Sequence, residues 1–364
     1  MTRSVMFTGD IFRQQPRGGI TRYVIEIARR LRRPGEVVLG VHQSVEVVSL
    51  RVPVRSALRI PPWRIAHRIA ALVNGPVDAM WFWRRRNPIL HPTYYRDPRG
   101  LPPRAPVVVT VYDMTHERLA GTFPARGARS YEPARFKADL CRRAERILCI
   151  SESTRRDVVD LLGVPDAKTR TTLLAGRDWS DVFALPIAGV RRPFVLWVGE
   201  RHAYKNFGNS LAAWAACKAA RETTLLCVGG GGWRRHERDA VIAAGAADRV
   251  HQRSCSDGEL RWAYENASAL LYASLWEGFG MPMLEALSLG CPVLASDRAA
   301  FLEVAGDAAV LAEPTDRDAL TSGLAAALAQ GRGSEWVAKR RARAACFSWD
   351  ACAARHEAVY RELD

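Results

Sequence analysis

The sequence predicts an α/β protein of two Rossmann-like domains, each a parallel sheet covered by helices. Three observations predict it. Short Val/Ile/Leu runs alternate with amphipathic stretches through the 364 residues, as in parallel strands covered on both faces. The series starts twice, near Val5 and again at Arg192-Pro193-Phe194-Val195-Leu196-Trp197-Val198-Gly199. The charge balance changes between the two starts. At roughly 100–200 residues per domain the length also calls for two.

In the first half, strands are predicted over Val37–Val41, Val107–Val111 and Ile147–Ile150, with helices over Ile20–Leu31, Pro133–Arg143 and Ser153–Leu162. In the second half, the apolar runs Phe194–Val198, Thr224–Val228, Ala269–Tyr272 and Pro292–Ala295 read as strands. Helical spacing marks Asn206–Ala220, Asp257–Asn266, Pro282–Leu289 and Asp318–Ala329 between and after them. Leu185-Pro186-Ile187-Ala188-Gly189-Val190 reads as a linker, so the first domain spans 1–187 and the second begins at 188. Phe347-Ser348-Trp349-Asp350 opens a last helix with a Ser-x-Asp start. Segment 51–104 departs from the rhythm. It has eleven Arg against Asp78 and Asp97, and Arg84-Arg85-Arg86 follow Trp81, Phe82 and Trp83. Trp63, Tyr94 and Tyr95 add further aromatics. Arg heads beside aromatic rings suit a lipid headgroup layer and also a nucleic acid.

Hydrophobic residues make up 48% and charged residues 25%, which excludes a disordered chain, a collagen and a disulfide miniprotein. The net charge is +15, and only five of the 53 basic residues are Lys. Residues 1–185 hold 32 basic and 17 acidic residues, while 186–364 hold 21 of each. A basic half suits nucleic acid, an anionic membrane, an acidic substrate or simply a solubilising surface. The eight Cys form no CxxC pair, and several sit in apolar runs, as free thiols of a reducing compartment do. Met1–Phe7 is too short and too soon polar for a signal peptide, and no run of about 18 apolar residues occurs. The expected location is the cytoplasm, with peripheral contact at the inner face of the cytoplasmic membrane as an extension of that expectation.

The most informative stretch is Glu277-Gly278-Phe279-Gly280-Met281-Pro282-Met283-Leu284-Glu285. Gly278 and Gly280 allow a tight loop after the strand ending at Tyr272. Pro282 then falls in the first turn of a helix, where a missing N–H costs little. The free N–H groups at such a terminus favour a phosphate or another electron-rich ligand. Glu277 in the loop and Glu285 in the helix provide two carboxylates to flank it, and carboxylates bond sugar hydroxyls well.

Glu277 to Glu285 resembles the Glu-x7-Glu pattern of retaining glycosyltransferases with the GT-B fold, family 4 in particular. Gly18-Gly19-Ile20 is similar to the family's glycine loop, and Val111-Tyr112-Asp113-Met114-Thr115-His116 to its strand-end histidine motif. Ser151-Glu152-Ser153-Thr154 resembles its helix start, and Val198-Gly199 through Lys205-Asn206 its phosphate-binding strand end. The resemblance implies two Rossmann-like domains facing a cleft: an acceptor domain at 1–187, a nucleotide-sugar domain at 188–345, and a C-terminal helix at 346–364 crossing back to the first.

The resemblance also implies roles. Lys205, Glu277 and His116 stand as catalytic residues. Lys205 reaches the diphosphate, where a cation balances the leaving group's charge. Arg201 is the nearest Arg, because Tyr204 occupies the position before Lys205 where the family usually has Arg; it is expected to reach the same phosphates. Glu277 binds hydroxyls of the donor sugar, beside Gly278 and the backbone N–H groups of Phe279 and Gly280. Glu285 accepts from the nucleotide ribose, and Gly18 and Gly19 let backbone approach the phosphate. His116 bonds a sugar hydroxyl or orients the acceptor, and Asp113 is either an acceptor-side carboxylate or a turn former. Transfer with retention needs no enzyme nucleophile in the route favoured for the family, since the leaving phosphate helps deprotonate the acceptor on the same face. No metal and no permanently bound cofactor is expected, with Lys205 and Arg201 supplying the positive charge a metal ion would.

The opening Phe7-Thr8-Gly9-Asp10-Ile11-Phe12 and Gly18–Tyr23 are similar to bacterial O-antigen, capsule and exopolysaccharide enzymes. A GDP-linked, mannose-type donor is the first expectation and a UDP-sugar the next. The acceptor is expected to be an oligosaccharide, on a lipid carrier, because the positive excess lies in the acceptor half. Two alternatives come from other classes. A basic nucleic-acid-binding protein would explain the charge but lacks any zinc-finger spacing or RNP run and leaves the Glu277–Glu285 loop unexplained. A GT-B phosphorylase or epimerase would keep the fold without the transfer.

Overall fold

The structure is a computed structural model. It describes residues 2–15, 18–42, 52–55, 58–59, 64–85, 87–122, 128–201 and 203–364, without the side chains of 41, 58–59, 64–73, 122 and 128–135. They form two compact units. The first comprises Met1–Glu117, Pro124–Leu174 and Ser348–Asp364, and the second Arg118–Phe123 and Ala175–Phe347.

The first unit is built on a parallel sheet. Val5–Thr8 lies between Gly35–Val38 and Ile89–His91, with Val54–Arg55 outside Gly35–Val38. A bridge from Leu90 to Val107 leads on to Val108–Val111, Arg146–Cys149 and Thr169–Thr171. Consecutive residues of the central strand are buried, Val5 and Met6 alike, which requires cover on both faces and explains the unbroken apolar run. Segment 51–104 is more regular than its composition suggests. It contains the helix Arg64–Trp83 and the strand Ile89–His91, and Phe82 enters the core with Leu90, Leu101 and Val109. Of the Arg and aromatic residues singled out there, Arg51, Trp63 and Arg86 lie outside the described residues.

The C-terminal helix Trp349–Arg361 belongs to the first unit. Ser348 caps it by accepting the Ala351 N–H, and it packs on the helix Gly19–Ala28. A buried polar network holds it there. Tyr23 Oη lies 2.5 Å from His356 Nε2 and 2.8 Å from Thr110 Oγ1. His91 bonds Tyr360 Oη at 2.6 Å and Thr110 Oγ1 at 2.9 Å. Burial pushes both imidazoles down, His356 to about 4 and His91 well below its ordinary value.

In the second unit a parallel sheet runs, in spatial order among the described residues, Val250–Arg253, Thr224–Val228, Phe194–Val198, Ala269–Tyr272, Val293–Ser296 and Val310–Ala312. Numbered along the chain from Phe194–Val198, this order is 3-2-1-4-5-6. The direction of winding reverses between Phe194–Val198 and Ala269–Tyr272, which pair through Val195 with Ala269 and Leu196 with Leu270. Such a reversal leaves a crevice at the carboxyl ends of the two strands, where open α/β sheets bind ligands. Trp197 and Trp214 are buried in the core beneath it; truncating either to Ala costs about 3–5 kcal/mol.

The chain enters the second unit at Ala175, ahead of the predicted boundary at 188. Leu185-Pro186-Ile187-Ala188-Gly189-Val190 is part of that unit. The Leu185 N–H donates to the Gly258 carbonyl at 3.0 Å, Ile187 is buried, and Arg261 donates to the carbonyls of Trp179 and Val182. Proline and glycine gave the stretch the look of a linker, but the buried Ile187 side chain and the Leu185–Gly258 backbone bond anchor it. All eight cysteines are free thiols; six are buried, Cys255 is half-buried and Cys346 is exposed.

Candidate functional site

The crevice of the second unit is shaped by the loops that follow the two strands flanking the reversal. The first loop runs from Gly199 through a turn at Ala203–Lys205 into the helix Phe207–Ala216. Asn206 stands at its end in the left-handed region, φ 57°. Its buried Nδ2 accounts for the conformation, because it donates to the Ala273 carbonyl at 3.0 Å and the Pro314 carbonyl at 2.6 Å. The Leu275 N–H donates to the Tyr204 carbonyl at 2.7 Å. The loops after the two strands are thereby stitched to each other.

That stitching brings Lys205 and Glu277 together. Lys205 Nζ is ion-paired with Glu277 Oε1. Tyr272, at the end of its strand, donates its hydroxyl to the same oxygen at 3.0 Å. The ammonium also lies 5.3 Å from the centroid of the Tyr204 ring and 5.4 Å from that of Tyr272, within reach of both ring quadrupoles. Burial, then the Glu277 carboxylate, push the Tyr272 phenol well above its ordinary value, so it stays a hydrogen-bond donor.

Gly280 ends the second loop at φ +95°. It opens the helix Met281–Ser288, with Pro282 in the first turn. Phe279 turns its ring inward, 5.7 Å from Phe347, so the contact it can offer a ligand is its backbone. Glu285 is buried on the helix and accepts from the Tyr264 hydroxyl at 3.2 Å.

Arg201 does not point where the sequence reading placed it. Its side chain is 1% exposed and ion-paired with Glu237, Nε to Oε2 at 3.1 Å. Its Nη atoms donate to the carbonyls of Gly229 at 2.8 Å and Gly231 at 2.7 Å, and at longer range to those of Gly230 and Gly232. The ring of Trp233 covers it at 4.6 Å. A guanidinium buried in this way and directed at Glu237 and the glycine carbonyls is not turned toward a diphosphate, so the expected phosphate contact gives way to a role inside the protein.

Gly18, Gly19, Asp113 and His116 belong to the first unit. Gly18 precedes the helix Gly19–Ala28, and its carbonyl accepts the Arg22 N–H at 3.0 Å. Asp113 Oδ1 accepts the Thr115 N–H at 2.9 Å, the geometry of a turn former at the start of Thr115–Arg118, the helix that carries the half-buried His116. The Asp113 carbonyl accepts from Lys137 Nζ at 2.8 Å, and the same ammonium pairs with Glu117 at 2.9 Å. Sequence reasoning missed Lys137, Tyr264 and Tyr272. A lysine inside the amphipathic run Pro133–Arg143 and a tyrosine at a strand end were the available signals, and neither is specific.

Comparison with known proteins follows the same division. Residues 17–172 match the family described as Glycosyltransferase Family 4, and residues 187–344 match Glycosyl transferases group 1. A relative, O-antigen chain mannosyltransferase B of Escherichia coli, is 28% identical over 233 residues, 60% of this chain and 61% of that protein. The match thus spans less than two thirds of the relative's length. Sucrose-phosphate synthase from Thermosynechococcus elongatus superposes with a TM-score of 0.75 at 18% identity, over 99% of each chain. Anabaena HepE, solved in complex with UDP-glucose, superposes with a TM-score of 0.74 at 15% identity, again over 99% of each. Two matched families along most of the chain, and the strand order and crevice described above, make this chain a member of the GT-B glycosyltransferases, with a family 4 first domain and a group 1 second domain.

Proposed function

We propose that the protein transfers a hexose, with retention of configuration, from a nucleotide-diphosphate sugar to a growing glycan. The observation that carries this is the Lys205–Glu277 pair at the reversal of the second sheet. A cation and a carboxylate held side by side suit a ligand that is anionic at one end and rich in hydroxyls at the other. In this reading Lys205 takes the diphosphate, Glu277 the sugar hydroxyls and Glu285 the ribose. Stabilising the leaving phosphate and positioning the acceptor are then the protein's main contributions. On the first unit, His116 orients the acceptor, Asp113 shapes the turn before it, and Gly18 and Gly19 approach the phosphates. No metal or resident cofactor enters the reaction.

A GDP-linked, mannose-type donor is the first choice, supported by the mannosyltransferase relative; the HepE complex makes a UDP-sugar the second. The acceptor is a glycan on a lipid carrier of bacterial surface polysaccharide synthesis, worked on from the cytoplasmic side. Among the described residues no helix is long and apolar enough to cross a membrane, so attachment would be peripheral. The end of Arg64–Trp83 supports it: Met80 and Trp83 are exposed beside exposed Arg84 and Arg85.

A thermal-shift screen of nucleoside diphosphates and their sugars tests the proposal, because a specific ligand stabilises by mass action. One base should raise the melting temperature, and Glu285→Ala should abolish that rise. No shift with any nucleotide would count against the reading as a whole.

A further inference from the structure

Arg201 and Lys205 leave the same loop in opposite directions. Lys205 goes to Glu277, beyond the strand Ala269–Tyr272. Arg201 goes to Gly229–Gly232, the loop after the strand on the other side, Thr224–Val228. The two loops are in close contact. A Cβ placed on Gly229 would lie 2.9 Å from the Gly199 carbonyl oxygen, and one placed on Gly199 would lie 3.8 Å from Lys205 Cε. The glycine loop is therefore a neighbour of the Lys205 site at the same sheet edge.

The engagement of Arg201 has a consequence for the other side of the loop. In a planar trans peptide the carbonyl of one residue and the N–H of the next point in opposite directions. Carbonyls gathered onto one buried guanidinium turn the N–H groups of Gly230, Gly231, Gly232 and Trp233 away from it. Gly231 and Gly232 are exposed, so these donors face the solvent side of the loop. Gly230 and Gly231 hold φ values of +71° and +63°, which the fork of Arg201 stabilises. Lysine carries the charge on a single compact centre without the planar fork, so it cannot span the row of carbonyls from Gly229 to Gly232 as the guanidinium does.

We propose that Arg201 is a positioning residue for the donor. It acts through the peptide groups of 229–233, whose N–H ends it presents to the oxygen atoms of a nucleoside diphosphate beside Lys205. The inference rests on the donor reading above, and the experiment separates the two. Binding of UDP and of GDP is measured by calorimetry for the wild type, Arg201→Lys, Gly231→Val and Gly231→Asn, with donor KM and kcat for each. Position 231 has open space around a Cβ, so Val strains only the left-handed backbone, which Asn tolerates better. Arg201→Lys and Gly231→Val should each weaken the bound nucleotide about tenfold, raising KM more than they lower kcat, with Gly231→Asn losing less than Gly231→Val. If Arg201→Lys does not fold, Gly231→Val decides. Affinities within twofold of wild type in both, with the wild type binding well, would overturn the positioning role alone. A wild type that binds neither nucleotide overturns it together with the donor reading.

Discussion

Lys205 and Glu277 neutralise each other at the carboxyl edge of the second sheet, with the Tyr272 hydroxyl sharing the carboxylate oxygen. Each is the natural partner of a different end of a nucleotide sugar. In the proposed reaction a diphosphate must draw Lys205 away from Glu277, and only the intact donor offers Glu277 hydroxyls in exchange. On that reading the product diphosphate offers nothing to the carboxylate, and re-forming the pair would favour its release.

Glu277→Gln should therefore bind the bare nucleoside diphosphate more tightly than wild type, while transfer falls by at least about tenfold. A half-buried pair of this kind is worth about 1 kcal/mol, which corresponds to about fivefold in affinity. Calorimetry with the bare diphosphate checks the sign. Weaker binding by the Gln variant would show that Glu277 helps hold the phosphates rather than competing for Lys205.

Gly280 sets the path of the loop that carries Glu277. Its φ of +95° suits glycine, and a Cβ there would lie 2.8 Å from Phe301 Cε1, whose ring also packs on Tyr272 at 5.4 Å. Gly280→Ala should destabilise the second unit by about 1–3 kcal/mol and displace Glu277 from Tyr272. Denaturant unfolding measures the first effect and the loss of the nucleotide-induced thermal shift the second. Unchanged stability would mean that Phe301 moves aside at no cost.

Much of the second unit was legible because its central strands are unbroken apolar runs, as at Phe194–Val198 and Ala269–Tyr272. Its edges were not. Val250–Arg253 reads Val-His-Gln-Arg, and its residues past Val250 are only half-buried, so hydropathy gives no strand signal there. Lys205, Glu277 and Glu285 could be picked out by type and spacing. The direction of Arg201 could not, since its carbonyl partners lie about thirty residues on and carry no side chain. Tyr23 and His356, 333 positions apart, meet through a topology that local pattern does not encode.

Membrane attachment makes a prediction that separates neighbouring arginines. Arg84 lies over the Trp81 ring at 5.4 Å, and Arg85 is bonded to Glu36 at 2.9 and 2.7 Å. Arg84→Gln and Trp83→Ser should each lower co-sedimentation with anionic vesicles, the former by about fivefold at about 1 kcal/mol per surface cation. Arg85→Gln should lower it less, because Glu36 already offsets that charge. Equal binding to neutral vesicles would remove the electrostatic basis.

The buried histidines of the first unit make its stability pH-dependent with a definite sign. His356, held down to about 4, and His91, lower than its ordinary value, stay neutral in the fold but take a proton near 6.5 once unfolded. The unfolded state then binds more protons, so stability is full above about pH 6.5 and falls as pH drops toward 4, by about 1 kcal/mol per histidine per pH unit. Asp78 opposes this. Burial raises it to about 6 despite Arg96, so the folded state takes its proton first and gains stability as pH falls through 6. The informative measurement is thus a difference. Melting curves of wild type and His356→Gln between pH 7.5 and 5 carry the same Asp78 contribution, which cancels between them. The variant should be less stable at pH 7.5, where it loses part of the Tyr23 bond, and its stability should fall less steeply below pH 6.5. Parallel slopes would show that His356 is solvated well enough to titrate in the folded protein, and that the network does not hold the C-terminal helix through a neutral imidazole.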